Sequence, residues 1–128
     1  MIIVIDIGNS NVDLSGIRAG VVEFTGEVAT HREWGAAEYT AALAPLLEGV
    51  VCRGAIVSSV VPQVTQAVRD AAGALLGVAP LLVTEQTKTG LELALPEKER
   101  VGRDRLVDAA WAAAHYPLPA VTADLGTA

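Results

Sequence analysis

The chain opens on four consecutive apolar residues, Ile2-Ile3-Val4-Ile5, and then breaks into Asp6-Ile7-Gly8-Asn9-Ser10. A short β-branched run closed by turn chemistry predicts a buried strand and a turn. Val12 to Ile17 predicts a second strand, and Gly20 a hairpin turn into a third, Val21-Val22-Glu23-Phe24. From Gly35 the period changes. Tyr39, Leu43, Leu46 and Leu47 recur at helical spacing, with Pro45 expected to kink or shorten that helix. Ala55-Ile56-Val57-Ser58 reads as a strand. The helix after it starts near Pro62, carries an apolar stripe of Val64, Val68, Ala71 and Leu75, and stops at Gly77. Leu81-Leu82-Val83 is a further short strand, and residues 84–100 read as irregular and polar, broken by Gly90 and Pro96. A helix from about Arg103 to His115 places Leu106, Ala110 and Ala113 on one face and ends before Pro117 and Pro119. Ala120-Val121-Thr122-Ala123 predicts a last strand, running into Asp124-Leu125-Gly126-Thr127-Ala128.

The predicted order is β-β-β-α-β-α-β-α-β. Strands alternating with helices imply an α/β sheet with parallel crossovers, and the opening meander adds an antiparallel part. A length of 128 residues matches one ordinary domain. With 52% hydrophobic residues, the chain can bury a sizeable core.

Charge narrows the partners. Fifteen Asp and Glu against nine Lys and Arg argue against nucleic acid, where released counterions supply most of the affinity. A nucleotide is still admitted, because backbone N–H groups and a metal ion can hold phosphates without a basic surface. Cys52 is the only cysteine, so no internal disulfide can form. The apolar start is too short for a signal peptide, and no run approaches the ~20 residues of a membrane helix. The expected setting is the cytoplasm, away from membranes.

Two turns carry the chemistry. Asp6-Ile7-Gly8-Asn9-Ser10 and Asp124-Leu125-Gly126-Thr127-Ala128 share the form Asp, apolar, Gly, polar, small, and each follows an apolar run. An Asp at a strand end can hold a hydrated Mg²⁺, which keeps several waters and takes only one or two carboxylates. Glycine lets the turn approach a phosphate, and Asn9, Ser10 and Thr127 can add donors to phosphate oxygens. One Asp-x-Gly is ordinary turn chemistry; two copies enclosing an α/β pattern point to phosphate binding. No Gly-x-x-x-x-Gly-Lys-Ser/Thr loop occurs in the chain, so it is not a P-loop kinase.

Paired Asp-x-Gly turns resemble the two phosphate motifs of the actin, Hsp70 and sugar-kinase superfamily. Within it, four segments resemble type III pantothenate kinase: Asp6-Ile7-Gly8-Asn9-Ser10, Ser58-Ser59-Val60-Val61-Pro62, Val101-Gly102-Arg103-Asp104-Arg105 and Asp124-Leu125-Gly126-Thr127-Ala128. They fall in that family's order along the whole chain. The resemblance implies a ribonuclease H-like, actin/hexokinase-type domain, a mixed sheet of about five strands with helices on both faces. It also implies that residues 1–128 are the N-terminal domain of a two-domain kinase whose second domain lies outside this chain, so that these residues alone turn over little.

The same resemblance implies the roles. Asp6, Ile7, Gly8, Asn9, Ser10, Asn11, Val12, Asp13 and Thr127 would line ATP, with Asp6 nearest a water-bridged Mg²⁺. Gly102, Arg103, Asp104 and Arg105 would hold pantothenate, with Asp104 as the general base. Asp124 would bind a monovalent cation, K⁺ or NH₄⁺. The implied activity is ATP-dependent phosphorylation of pantothenate to 4'-phosphopantothenate, the first step of coenzyme A synthesis, in a homodimer. Phosphoryl transfer to an alcohol does need a carboxylate to accept the hydroxyl proton, and Arg105 has the fork that binds a carboxylate bidentately. In isolation Asp104 also suits a helix first turn. One position departs from the pattern: the family usually has a substrate-contacting Tyr seven residues before Gly102, and here Leu95 stands there. The alternatives are therefore a kinase for another small alcohol, or a catalytically degenerate nucleotide-binding accessory protein of this fold. His31 and His115 lack partners at metal-ligand spacing, and Trp34, Trp111 and Tyr39 read as packing residues.

Overall fold

The computed structural model describes residues 1–125. Strands β1 (Ile2–Ile7), β2 (Asn11–Arg18) and β3 (Val21–Ala29) form the opening meander. Helix α1 (Ala36–Leu47), strand β4 (Gly54–Ser59), helix α2 (Pro62–Leu76) and strand β5 (Leu81–Leu82) follow, then a 3₁₀ turn (Lys98–Arg100) and helix α3 (Arg103–His115). The five strands make one mixed sheet in the order β3-β2-β1-β4-β5. β1 and β2, and β2 and β3, are antiparallel; β4 is parallel to both β1 and β5. The expected mixed α/β sheet is the one observed.

The period of two in β1 decides which face is core. Ile3, Ile5 and Ile7 are fully buried, whereas Ile2 and Asp6 point to the other side and stay exposed. Beside the three isoleucines lie Val12 and Leu14 of β2 and Ala55 and Val57 of β4. Two helices cover this row. Tyr39, Leu43 and Leu47, one helical repeat apart, are the buried residues of α1, and Val64, Val68, Ala71 and Ala72 those of α2. The ends of the helices follow their punctuation. Pro62 occupies the first turn of α2, and Gly77 closes it at φ +67°, donating its N–H to the Gly73 carbonyl at 2.9 Å. Pro45 sits in the last turn of α1, where the helix runs only two residues further.

Helix α3 packs against β4 through the opposite side of the sheet from α1 and α2, burying Leu106 and Ala112. Helices thus flank both faces. Ala112, rather than the expected Ala110 or Ala113, is the second buried position. Trp111, expected to pack, is 54% exposed and stacks on His115 at 4.6 Å between ring centroids. Trp34 and Tyr39 do pack together, edge to face at 5.4 Å.

The expected sixth strand is not formed. Residues 120–125 carry no regular structure, and Val121 is 96% exposed. A strand needs a neighbour for its backbone N–H and C=O groups. The nearest sheet edge, β5, is two residues long, although Val83 N–H just beyond it still donates to the Val57 carbonyl at 2.8 Å. Local β propensity without a ladder partner makes no strand. The expectation for Thr127 lies outside the described residues.

Candidate active site

The turn between β1 and β2 is held from outside. Gly8 N–H donates to the Asn11 carbonyl at 2.8 Å, closing the turn. Thr30, just past β3, fixes the same turn twice: its hydroxyl donates to the Gly8 carbonyl at 2.8 Å and its N–H to the Ser10 carbonyl at 2.8 Å. Because the peptide plane is trans, a Gly8 carbonyl facing Thr30 directs the Asn9 N–H to the opposite side. Asn11 Nδ2 reaches Glu27 at 3.5 Å. The Ile7 and Val12 side chains lie wholly in the core, so these two residues can serve a ligand only through backbone.

Strand register builds a polar row on the face away from the core. Asp6 lies opposite Asp13 on β2 and opposite Ser58 on β4, so the three side chains share one side of the sheet. Ser58 is 8% exposed, and its Oγ completes no hydrogen bond of full geometry among the described residues. Asp6 has its pKa raised above the ordinary aspartate value, chiefly by loss of surrounding water. The Ser58 hydroxyl opposes that rise, and the charges of Asp104, Asp13 and Asp108 add to it. Asp6 thus reports what the fold brings together: a strand-end carboxylate and two carboxylates from α3. The described residues contain no group of three or more His, Cys, Asp or Glu placed to hold a metal directly. A single strand-end carboxylate, Asp6, with Ser58 beside it, could hold a hydrated Mg²⁺ through water.

Asp104 stands in the first turn of α3, where free N–H groups and the helix dipole favour a carboxylate, and its Oδ1 accepts the Arg105 N–H at 2.8 Å. Gly102 makes room for it. A Cβ on Gly102 would fall 2.3 Å from Asp104 Oδ1, so any larger residue there must turn the carboxylate away. Beside this corner is a cavity of about 440 Å³, a volume suited to a small molecule, lined by Leu95, Pro96 and Val101 on its apolar side and by Gly102, Arg100 and Arg105. Arg100 is paired to Glu97, whereas Arg105 makes no ion pair among the described residues. Arg103 turns elsewhere: it pairs with Glu85 at 2.7 Å and donates to the Val101 carbonyl at 3.0 Å. Its guanidinium anchors the loop after β5, so of the four residues 102–105 it is the one already committed within the chain.

Asp124 is exposed and lies with Asp108, Trp111 and Thr122 around a second, smaller cavity. It is not among the charges acting on Asp6; Asp108, near both, is the link between the two acidic places. Sequence reasoning did not find Asp108, although its spacing from Asp104 on α3 puts both on one helix face, which was the available signal. Nor did it find Thr30 and Arg32, since nothing in the local pattern of a loop tells which turn it will touch.

The sequence model described as type III pantothenate kinase matches residues 2–128. Among curated proteins, the type III pantothenate kinase of Brevibacillus brevis is 34% identical over the whole of this chain and 52% of its own. That of Moorella thermoacetica is likewise 34% identical, again over 52% of its own length, and that of Finegoldia magna 32% over 51%. The chain spans about half the length of the curated relatives it matches. A family match over residues 2–128 establishes that the chain belongs to the type III pantothenate kinase family.

Proposed function

We propose that the protein phosphorylates pantothenate with ATP to give 4'-phosphopantothenate, and that residues 1–128 are the N-terminal, nucleotide-binding half of that kinase. One juxtaposition supports this reading: strand register sets Asp6 beside Ser58 of β4, helix α3 packs against β4, and the start of α3 carries Asp104 and borders a cavity with Arg105. In this reading a phosphate turn, a proton acceptor and an anion receptor adjoin one another.

In this reading the Gly8–Ser10 turn receives the ATP phosphates through the Asn9 N–H and side chains. Mg²⁺, when bound beside Asp6 through water, would supply charge neutralisation on the phosphates. Arg105 takes the pantothenate carboxylate, and the acceptor hydroxyl is aligned at Asp104. As the hydroxyl oxygen bonds to the γ-phosphorus, the bond from that phosphorus to ADP breaks and the proton passes to Asp104. Asp124 would serve a monovalent cation, K⁺ or NH₄⁺. The homodimer and the cytoplasmic setting belong to the same proposal, and no helix among the described residues is long and apolar enough to cross a membrane. Half of such a kinase lacks the lobe that closes the cleft, so residues 1–128 alone should bind ATP weakly and turn over little.

Leu95, 52% exposed on the cavity wall, favours one second reading. It offers no hydrogen bond, so another small hydroxy acid could be the acceptor. The test of the main reading is pantothenate-dependent ADP release by the full-length kinase that contains residues 1–128, compared with its Asp104→Asn variant. The substitution should lower kcat by about 10²–10⁴-fold while ATP still binds. Unchanged turnover would remove Asp104 from the role of base, and activity on other hydroxy acids alone would select the second reading.

A further inference from the structure

We propose that Arg32 is a phosphate-binding and positioning residue of the nucleotide site, acting both through its own charge and by setting the side-chain amide of Asn9. The inference rests on the reading of the Gly8–Ser10 turn as the ATP phosphate site and adds a residue from outside the motif. Arg32 Nη2 donates to Asn9 Oδ1 at 2.9 Å, 23 residues away in sequence. A guanidinium can only donate, so the Asn9 atom it meets must be the carbonyl oxygen. The Asn9 NH₂ then faces away from Arg32, and it has no acceptor among the described residues. Asn9 thus presents two donors, its backbone N–H and its side-chain NH₂, in an orientation chosen by Arg32 and Thr30 rather than by itself.

The guanidinium keeps most of its capacity. Four ion pairs occur among the described residues, namely Arg18–Glu23, His31–Glu33, Arg100–Glu97 and Arg103–Glu85. Arg32 is in none of them, and its one described bond uses one of five N–H donors. Around it the charge is unfavourable for a nucleotide. Asp6, Asp13, Asp104 and Asp108 cluster beside the turn and would repel a triphosphate. A cation on the turn itself answers that repulsion, with the fork geometry suited to phosphate oxygens.

Nor is Arg32 carried on a loose loop. The Tyr39 hydroxyl, fully buried, donates to the His31 carbonyl and accepts the His31 N–H, both at 3.0 Å. His31 stacks on Trp34 at 4.0 Å, and Trp34 N–H returns to the His31 carbonyl at 3.2 Å. His31, just before Arg32, and Trp34, two residues after it, are fixed to Tyr39 of α1, so the Arg32 side chain is aimed at the turn at low entropic cost.

The experiment measures the affinity of the full-length kinase that contains residues 1–128 for Mg²⁺-ATP and for adenosine by calorimetry, in wild type, Arg32→Ala, Arg32→Lys and Asn9→Ala. Arg32→Ala should weaken ATP about tenfold, the size of one lost charge-assisted hydrogen bond, with adenosine affinity and Tm unchanged. Arg32→Lys, which keeps charge but not the fork, should fall between, and adding Asn9→Ala to Arg32→Ala should cost less than the two single losses combined. ATP affinity within about twofold of wild type in Arg32→Ala would overturn the inference while leaving the phosphate site standing. Equal losses for ATP and adenosine, or a loss that tracks a lowered Tm, would reduce Arg32 to a structural residue and overturn it as well. A full-length wild-type protein that binds no ATP would overturn both this inference and the reading beneath it.

Discussion

Asp6 keeps part of its surface in water, yet partial burial and the charges of Asp104, Asp13 and Asp108 raise its pKa, and its proton therefore couples the site to the stability of the domain. Its native pKa lies above the unfolded value of 3.8. The native state then binds this proton more tightly than the unfolded chain does. The stability it lends is complete below about pH 3.8 and is lost as pH rises through the native value. Asp6→Asn should accordingly raise Tm near pH 7, with the gain shrinking to nothing as pH falls towards 4, while Mg²⁺-dependent ATP binding is lost. Thermal unfolding of both proteins across pH 3.5–8 reads this directly. A variant less stable than wild type at neutral pH would contradict the assignment of Asp6 as a strained functional carboxylate. Neither the size of Gly102 nor its closeness to Asp104 could be inferred from spacing alone. The motif marked the residue, and the 2.3 Å approach of a hypothetical Cβ supplies the reason.

At the scale of elements, the segment between β3 and α1 does more than connect them. Thr30 and Arg32 grip the Gly8–Ser10 turn, and Tyr39, on the first turns of α1, grips the residue between them. Tyr39→Phe keeps the buried ring but leaves the His31 N–H and carbonyl without the hydroxyl, which should cost about 1–3 kcal/mol. Urea unfolding measures that cost. The same variant should raise the KM for ATP more than that for the acceptor, since the loosened loop touches only the nucleotide side. Equal effects on both would show a general softening of the domain. Helix α3 is the other positioning element. Its first turn delivers Asp104 and its next turn Asp108 to the face where Asp6 points, and its Leu106 fastens it against the sheet.

For the molecule as a whole, the sheet divides the labour. One face is apolar and closed by α1 and α2; the other carries the row Asp13, Asp6, Ser58 under α3. Ile5 sits at the centre of the closed face, opposite Leu14 and Val57. Ile5→Ala should lose about 2–5 kcal/mol in denaturant unfolding. Val121, almost wholly exposed, should tolerate alanine within about 0.5 kcal/mol. A large loss at Val121 would mean that residues 120–125 pack where no contact is seen. The charge distribution has the same logic, because repulsion among carboxylates on the open face is tolerated only when the other face pays for the fold.

What the sequence determined by itself were the features fixed by neighbours along the chain: the alternation that buries Ile3, Ile5 and Ile7, the helical spacing of α2, the glycine stop at Gly77, and the Asp-x-Gly turn. These depend on local dihedral preference and on apolar period, both written in consecutive residues. Tertiary structure alone decided the rest. It denied a ladder partner to residues 120–125, turned Arg103 to Glu85 while leaving Arg105 open, and brought Arg32 to Asn9 and Asp108 to Asp6. The pairs Arg103–Glu85, Arg32–Asn9 and Asp108–Asp6 are meetings of side chains far apart in sequence. Such meetings follow from the order β3-β2-β1-β4-β5 and from which face a helix covers, and no local pattern encodes either.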